Sequence, residues 1–326
     1  DLDLGYQNNN RKELSKPHTH GIGNLPNSNL ELLLKLQTYT LNANWVNQIS
    51  STSKLTVGVN TEYQDNDIGG YSFLLPQFEQ ITGGLYAILR QRLTEKLVLT
   101  SGARYDQGRL RIHEYIDPNL ENEYKQRAEN INKNMGDFSF STGLSYTINP
   151  LWTMKTNIGK SFRMVTANEL SSNGVHHGTF RHEVGDKNLK AETSYQIDYG
   201  VDFQKKMQGI IESIEVNTSL FSSFFPNFIF LNPTGEFSWL PDAGQYYKYE
   251  QSKALRYGGE LSASIAIAKY FRFNSGIDYV YAKDMDSKYP IPFTPPLSIT
   301  NEVSVKLDKI LPDRNSLITL THRYSA

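Results

Sequence analysis

The chain contains no cysteine, which excludes disulfides, thiolate metal sites and cysteine nucleophiles together. Nor does any stretch approach the roughly 18 consecutive apolar residues of a membrane-crossing helix. The opening segment DLDLGYQNNNRKEL is polar and strand-like, without the basic start and apolar stretch of a signal peptide. Charge is balanced, 33 Lys and Arg against 34 Asp and Glu, for a net −1. A nucleic-acid binder needs a basic surface, so no nucleic-acid partner is expected. Apolar residues are scarce, at 38%, where globular chains carry roughly 45–50%. Aromatics nevertheless reach 12%, with 20 Tyr and 16 Phe. That combination fits sheets that are greasy on one face and polar on the other. The 326 residues give room for two ordinary domains or one large β architecture.

What the chain does have is period-2 alternation. Tyr195, Ile197, Tyr199, Val201 and Phe203 alternate with Ser194, Gln196, Asp198, Gly200 and Asp202. Phe138, Phe140, Leu144, Tyr146 and Ile148 do the same against small polar residues, as do Leu297, Ile299, Val303, Val305 and Leu307. Strand side chains alternate between faces, so each segment has one apolar and one hydrophilic side. The pattern predicts strands at about 2–14, 31–49, 53–64, 82–94, 97–116, 137–149, 152–163, 191–206, 211–224, 253–268, 271–283, 297–308 and 316–326.

The connections alternate too. Short ones fall at 50–52, 95–96, 150–151, 206–209 and 269–270, and long ones at 15–30, 65–81, 117–136, 164–190, 225–252 and 284–296. Short periplasmic turns, long extracellular loops and strands of about ten residues define an outer-membrane barrel. In hydrocarbon no backbone amide can stay unpaired, which is why such strands close on themselves. A soluble sandwich would not require the short–long alternation, and no blade-length repeat marks a propeller. The expectation is all-β: a transmembrane antiparallel β-barrel with about thirteen strands, residues 1–326 forming part of one barrel domain. The absence of an initial Met and a strand-like end at His322–Ala326 read as a piece lacking both barrel ends.

Several segments resemble TonB-dependent outer-membrane receptors. Residues Phe162-Arg163-Met164-Val165 stand where the family has an FRAP-type strand end, followed by Asn168-Glu169-Leu170. Gly185-Asp186-Lys187-Asn188-Leu189-Lys190-Ala191-Glu192 is similar to the family's second, NPNL-like motif. Met164-Val165, Asp186-Lys187 and Ala191 depart from the pattern. Ser101-Gly102-Ala103-Arg104-Tyr105-Asp106 and Ile291-Pro292-Phe293-Thr294-Pro295-Pro296-Leu297 resemble two further family segments. The resemblance implies a 22-stranded barrel around an N-terminal plug that is absent from these residues. It also implies a TonB-complex partner engaged through that region, and active import across the outer membrane of a Gram-negative-type bacterium.

Cargo is read from the loops. His18 and His20 lie in one long loop; His176, His177 and His182, with Glu183, lie in another. Imidazole and carboxylate suit Zn²⁺ at roughly 2.0–2.2 Å per ligand. The run Ser172–Glu183 and the segment Leu4–Glu13 resemble the zinc-uptake subset of the family. The expectation is zinc as cargo, on His18, His20, His176, His177, His182 and Glu183. Haem is the alternative, with His176, His177 or His182 as axial ligand. A ferric siderophore is a third cargo, one usually signalled by loop aromatics and Arg, and the aromatic loop 225–252 leaves it open. A passive porin or an adhesin is the other class considered. No Ser–His–acid or paired-carboxylate pattern supports an enzyme, and no catalytic cofactor is expected. Asp278, Glu260, Asp198, Asp202, Lys155 and Arg90 are expected to line the lumen or pair with the plug. Trp45, Trp152 and Trp239 read as girdle residues at the outer-membrane lipid boundary or as loop packing, rather than as stacking sites for a ligand.

Overall fold

The computed structural model describes residues 1–19, 23–120, 125–176, 178–240, 243–307 and 316–326. The first strands are β1 (Leu2–Leu14), β2 (Leu30–Ser50), β3 (Ser53–Gly69), β4 (Phe78–Arg92) and β5 (Leu97–Ile112). A small hairpin follows, β6 (Tyr115–Ile116) with β7 (Gln126–Ala128). β8 (Ile131–Asn149) and β9 (Trp152–Arg163) lead to helix α1 (Ala167–Ser171) and a second hairpin, β10 (Asn173–His176) and β11 (Arg181–Val184). β12 (Glu192–Lys206), β13 (Ile211–Phe237), β14 (Gln245–Ile267), β15 (Phe271–Asp284), β16 (Ser298–Lys306) and β17 (Leu317–Ser325) complete the order.

Thirteen of these strands form one up-and-down wall, β1-β2-β3-β4-β5-β8-β9-β12-β13-β14-β15-β16-β17, every neighbour antiparallel. Turns of two to four residues join alternate strands at 51–52, 93–96, 150–151, 207–210 and 268–270. The connections at the other end are longer, and 164–191 carries α1 and the β10–β11 hairpin. One expected loop is corrected. Segment 225–252 is mostly strand, because β13 and β14 run on to Phe237 and from Gln245 as a tall hairpin. Register shifts between Phe225 and Phe228 and between Pro233 and Phe237 accommodate it. Pro226 falls within the first shift, where no ladder N–H is needed.

One face of the wall is bare and apolar. Tyr199 lies opposite Leu220, Ile197 opposite Ile158 and Tyr105 opposite Phe138, all exposed. An apolar surface this continuous marks contact with lipid. Aromatic rows bound it. Trp152 and Phe203 pair at 4.6 Å near the short turns. Toward the loops, Tyr39 lies 5.0 Å from Tyr6 and 6.3 Å from Tyr63. On β12, Tyr195 and Phe203 are eight residues apart, roughly 26 Å along a strand and about 20 Å in height at the usual tilt. That matches the apolar band of an outer-membrane barrel.

The opposite face is polar low down and roofed higher up. Lys155, Ser219, Glu260 and Asp278 share one cross-strand row, and Asp202 pairs with Lys155. Asp198 accepts from Asn157 at 3.1 Å, and Arg90 lies on the same face. Higher up, the loops fold onto this inner face. Val165, Leu170 and Leu189 pack there against Phe78, Leu110 and Ile112.

Candidate functional site

The roof is anchored where the sequence carries its motifs. Arg163, at the end of β9, donates to Glu169 of α1 at 3.0 Å and to Glu192 at the start of β12 at 3.2 Å. Glu169 also accepts from the Thr166 amide at 2.9 Å, closing the first turn of α1 as a capping residue does. Glu192 takes the Ile229 amide at 2.7 Å. One guanidinium thus ties three elements, with both carboxylates largely buried. The second motif forms a turn, Asp186 accepting the Asn188 amide at 2.8 Å. That turn sets Leu189 into the core while Lys133 binds the carbonyls of Lys187 and Leu189.

Beyond this anchor, β10 and β11 form a strap. β11 runs parallel to the top of β14, Arg181 opposite Gln245 through Val184 opposite Lys248. Arg181 stacks over Tyr247 at 4.9 Å and over Phe293 at 4.7 Å, joining the strap to connection 285–297. Arg127 of β7 holds the other side. It donates to the Asn173 carbonyl and lies over Phe73 at 5.7 Å and Trp239 at 5.6 Å. Burial pulls its pKa below the ordinary arginine value, with Asp117, Tyr115 and Tyr246 acting the other way. Gly174 passes so close to the Phe73 carbonyl that a Cβ there would overlap it.

Beneath the roof is a cavity of about 60 Å³ bordered by His18, Tyr71, Asp117, Arg127, Val175 and Leu240. Loops far apart in sequence therefore meet here. His18 Nδ1 is 3.0 Å from the Lys16 carbonyl and 3.1 Å from the Tyr71 hydroxyl. Burial pushes the Tyr71 hydroxyl up, while its bond to Ser15 opposes that shift. His176 ends β10, partly buried, with Nδ1 3.2 Å from Thr179 Oγ1. Glu183 lies on β11 opposite Gly174. His20 and His177 lie outside the described residues. His182 is 0% exposed and bonded at both nitrogens, to Ser238 at 2.6 Å and Asn173 at 3.0 Å. A neutral imidazole bonded on both sides has no lone pair left for a metal, so His182 acts as a hydrogen-bonded centre of the roof. Among the described residues no three His, Asp or Glu side chains are grouped to hold a metal.

Sequence reading missed the roles of Arg127, Arg163 and Arg181. The Thr166-x-x-Glu169 spacing could have marked α1. Nothing local marks Arg127 or Arg181, because their partners lie in other loops.

A wall of antiparallel strands with a lipid-facing aromatic-bounded side and a roofed polar interior is an outer-membrane β-barrel architecture. Residues 1–310 match the family described as TonB dependent receptor-like, beta-barrel. The chain belongs to that family, one of outer-membrane receptors and not of enzymes. The copper transporter OprC is similar, with a TM-score of 0.69 at 15% identity over 93% of this chain and 46% of its own. A double mutant of the Serratia marcescens hemophore receptor HasR, solved with its hemophore HasA and haem, gives 0.67 at 15% over 90% and 52%. The FrpB iron transporter of Neisseria meningitidis, F5-1 variant, gives 0.65 at 14% over 99% and 48%. The chain spans about half the length of these receptors, and at such identities the likeness is one of fold. No curated protein matches it.

Proposed function

We propose that these residues are barrel wall in a TonB-dependent receptor that imports a scarce metal-bearing nutrient, with zinc as the cargo. β1 and β17 pair on one side only among the described residues. Hydrocarbon tolerates no unpaired strand edge, so in this reading further strands close the barrel and a plug fills it. The TonB complex then acts through the plug region.

One observation carries the zinc reading. The loop bearing His18 and the β10–β11 strap border the same cavity of about 60 Å³, the strap through Val175, the residue before His176. That space suits an ion with at most one or two waters, each taking about 30 Å³ in the liquid, and it is too small for a porphyrin. The proposed ligands are His18, His20, His176, His177 and Glu183, with His182 supporting from below. Haem, the alternative, would need the roof to open.

Zn²⁺ titrated into the full-length receptor in detergent should bind at micromolar affinity or tighter. The double change His176→Ala/His177→Ala should abolish that binding. A Soret shift with haem, together with no zinc effect, would favour the alternative. If neither signal appears, these histidines are ordinary loop residues and the cargo is a different chelate.

A further inference from the structure

On the inner face, away from the roof histidines, β13, β14 and β15 meet the infolded connection 285–297 around a cavity of about 590 Å³. That volume lies within the roughly 300–1,000 Å³ of small-molecule sites. Phe221, Phe228, Phe230, Phe293 and Ile291 supply its apolar walls. Phe228 and Phe230 lie side by side on β13, nearly parallel at 18° with ring centroids 6.4 Å apart, and give one wall an aromatic surface.

One cation enters this apolar lining. Arg256 sits opposite Ser223 and Ala282 on the inner face, whereas neighbouring Tyr257 is exposed on the lipid side. The Nε of Arg256 is enclosed and has no hydrogen-bond partner. Its guanidinium lies over the Phe225 ring at 5.1 Å and meets no carboxylate among the described residues. The other polar side chains of the lining are occupied. Gln196 donates to Asp198 at 2.6 Å and accepts from Ser223 at 2.9 Å; Thr294 donates to the Ile291 carbonyl at 2.7 Å. Arg256 is half-buried and, among the described residues, is the one cation in this lining, so its guanidinium is the charged donor open to an anionic ligand there.

We propose that this pocket binds a flat aromatic anion, an aryl carboxylate or phenolate. The ring lies among the phenylalanines, where offset aromatic packing is favourable. The anionic oxygens accept from Arg256, whose planar fork matches a carboxylate. A neutral aromatic would leave the guanidinium without an anion, and an aliphatic anion would leave the phenylalanine surface uncovered. The pocket contains none of the roof histidines, although its Phe293 also stacks with Arg181 of the strap, so it stands whether or not the zinc reading does.

The test compares 2-naphthoate with its neutral amide, 2-naphthamide, each titrated calorimetrically into the full-length receptor in detergent. The acid should bind roughly ten-fold tighter or more, as expected for a charge-assisted pair. Arg256→Gln should level the two affinities, Phe228→Ala should weaken both, and zinc binding should not change. Heat-modifiable migration of each variant reports whether its barrel is intact. Equal binding of acid and amide by the unmodified receptor, or no binding of either, overturns the proposal without any variant. An acid preference that survives Arg256→Gln in an intact barrel also overturns it.

Discussion

Arg127, 6% exposed, holds the strap to its neighbours through the Asn173 carbonyl and two aromatic rings. Arg127→Met keeps most of the apolar stem and removes charge-assisted bonds worth about 1.5–3 kcal/mol each. Amide exchange along β10 and β11 should then quicken by roughly ten-fold or more, with wall amides such as those of β12 unchanged. Unchanged exchange in the strap would mean that its parallel ladder with β14 suffices alone. At this scale the sequence told which histidines lie in long connections but not which way they turn. His182 and His176 are six residues apart. The first is locked between Ser238 and Asn173, partners that no local spacing reveals.

Among strands, the two faces should respond oppositely to charge. Leu220 is 52% exposed on the lipid side and pairs with Tyr199, midway between the aromatic rows. Leu220→Arg should destabilise the folded barrel in bilayers by about 2–4 kcal/mol. The adjacent Ser219→Arg points inward opposite Glu260 and should cost little. Denaturant titration of both variants in lipid vesicles checks this, and equal losses would contradict the assignment of faces.

The same asymmetry explains which strand boundaries were legible. At the short turns, sequence and structure agree closely: the expected 152–163 is β9 and the expected start at 271 is that of β15. Errors gather at the loop end. β3 continues through Gln64-Asp65-Asn66-Asp67 to Gly69, and β8 begins at Ile131. Above the membrane the outward face meets water, so it need not be apolar and the alternation fades. The parallel join of β11 to β14 was invisible for another reason. Its partners are sixty-four residues apart (245 − 181), and neither belongs to a run of alternating residues.

The whole molecule joins a lipid-facing wall, an inner polar surface and a roof where histidine-bearing loops converge. The order of its strands follows from alternation and turn length, whereas the roof is a tertiary construction held by Arg127, Arg163 and Arg181. Its proposed role is energy-dependent capture of zinc, which binding alone does not establish. The most direct measurement is uptake of radioactive zinc by zinc-starved cells carrying the full-length receptor, with TonB present or deleted. Zinc accumulation that requires both the receptor and TonB, and that His176→Ala/His177→Ala reduces, is the expected result. Accumulation that is the same without the receptor or without TonB would contradict it.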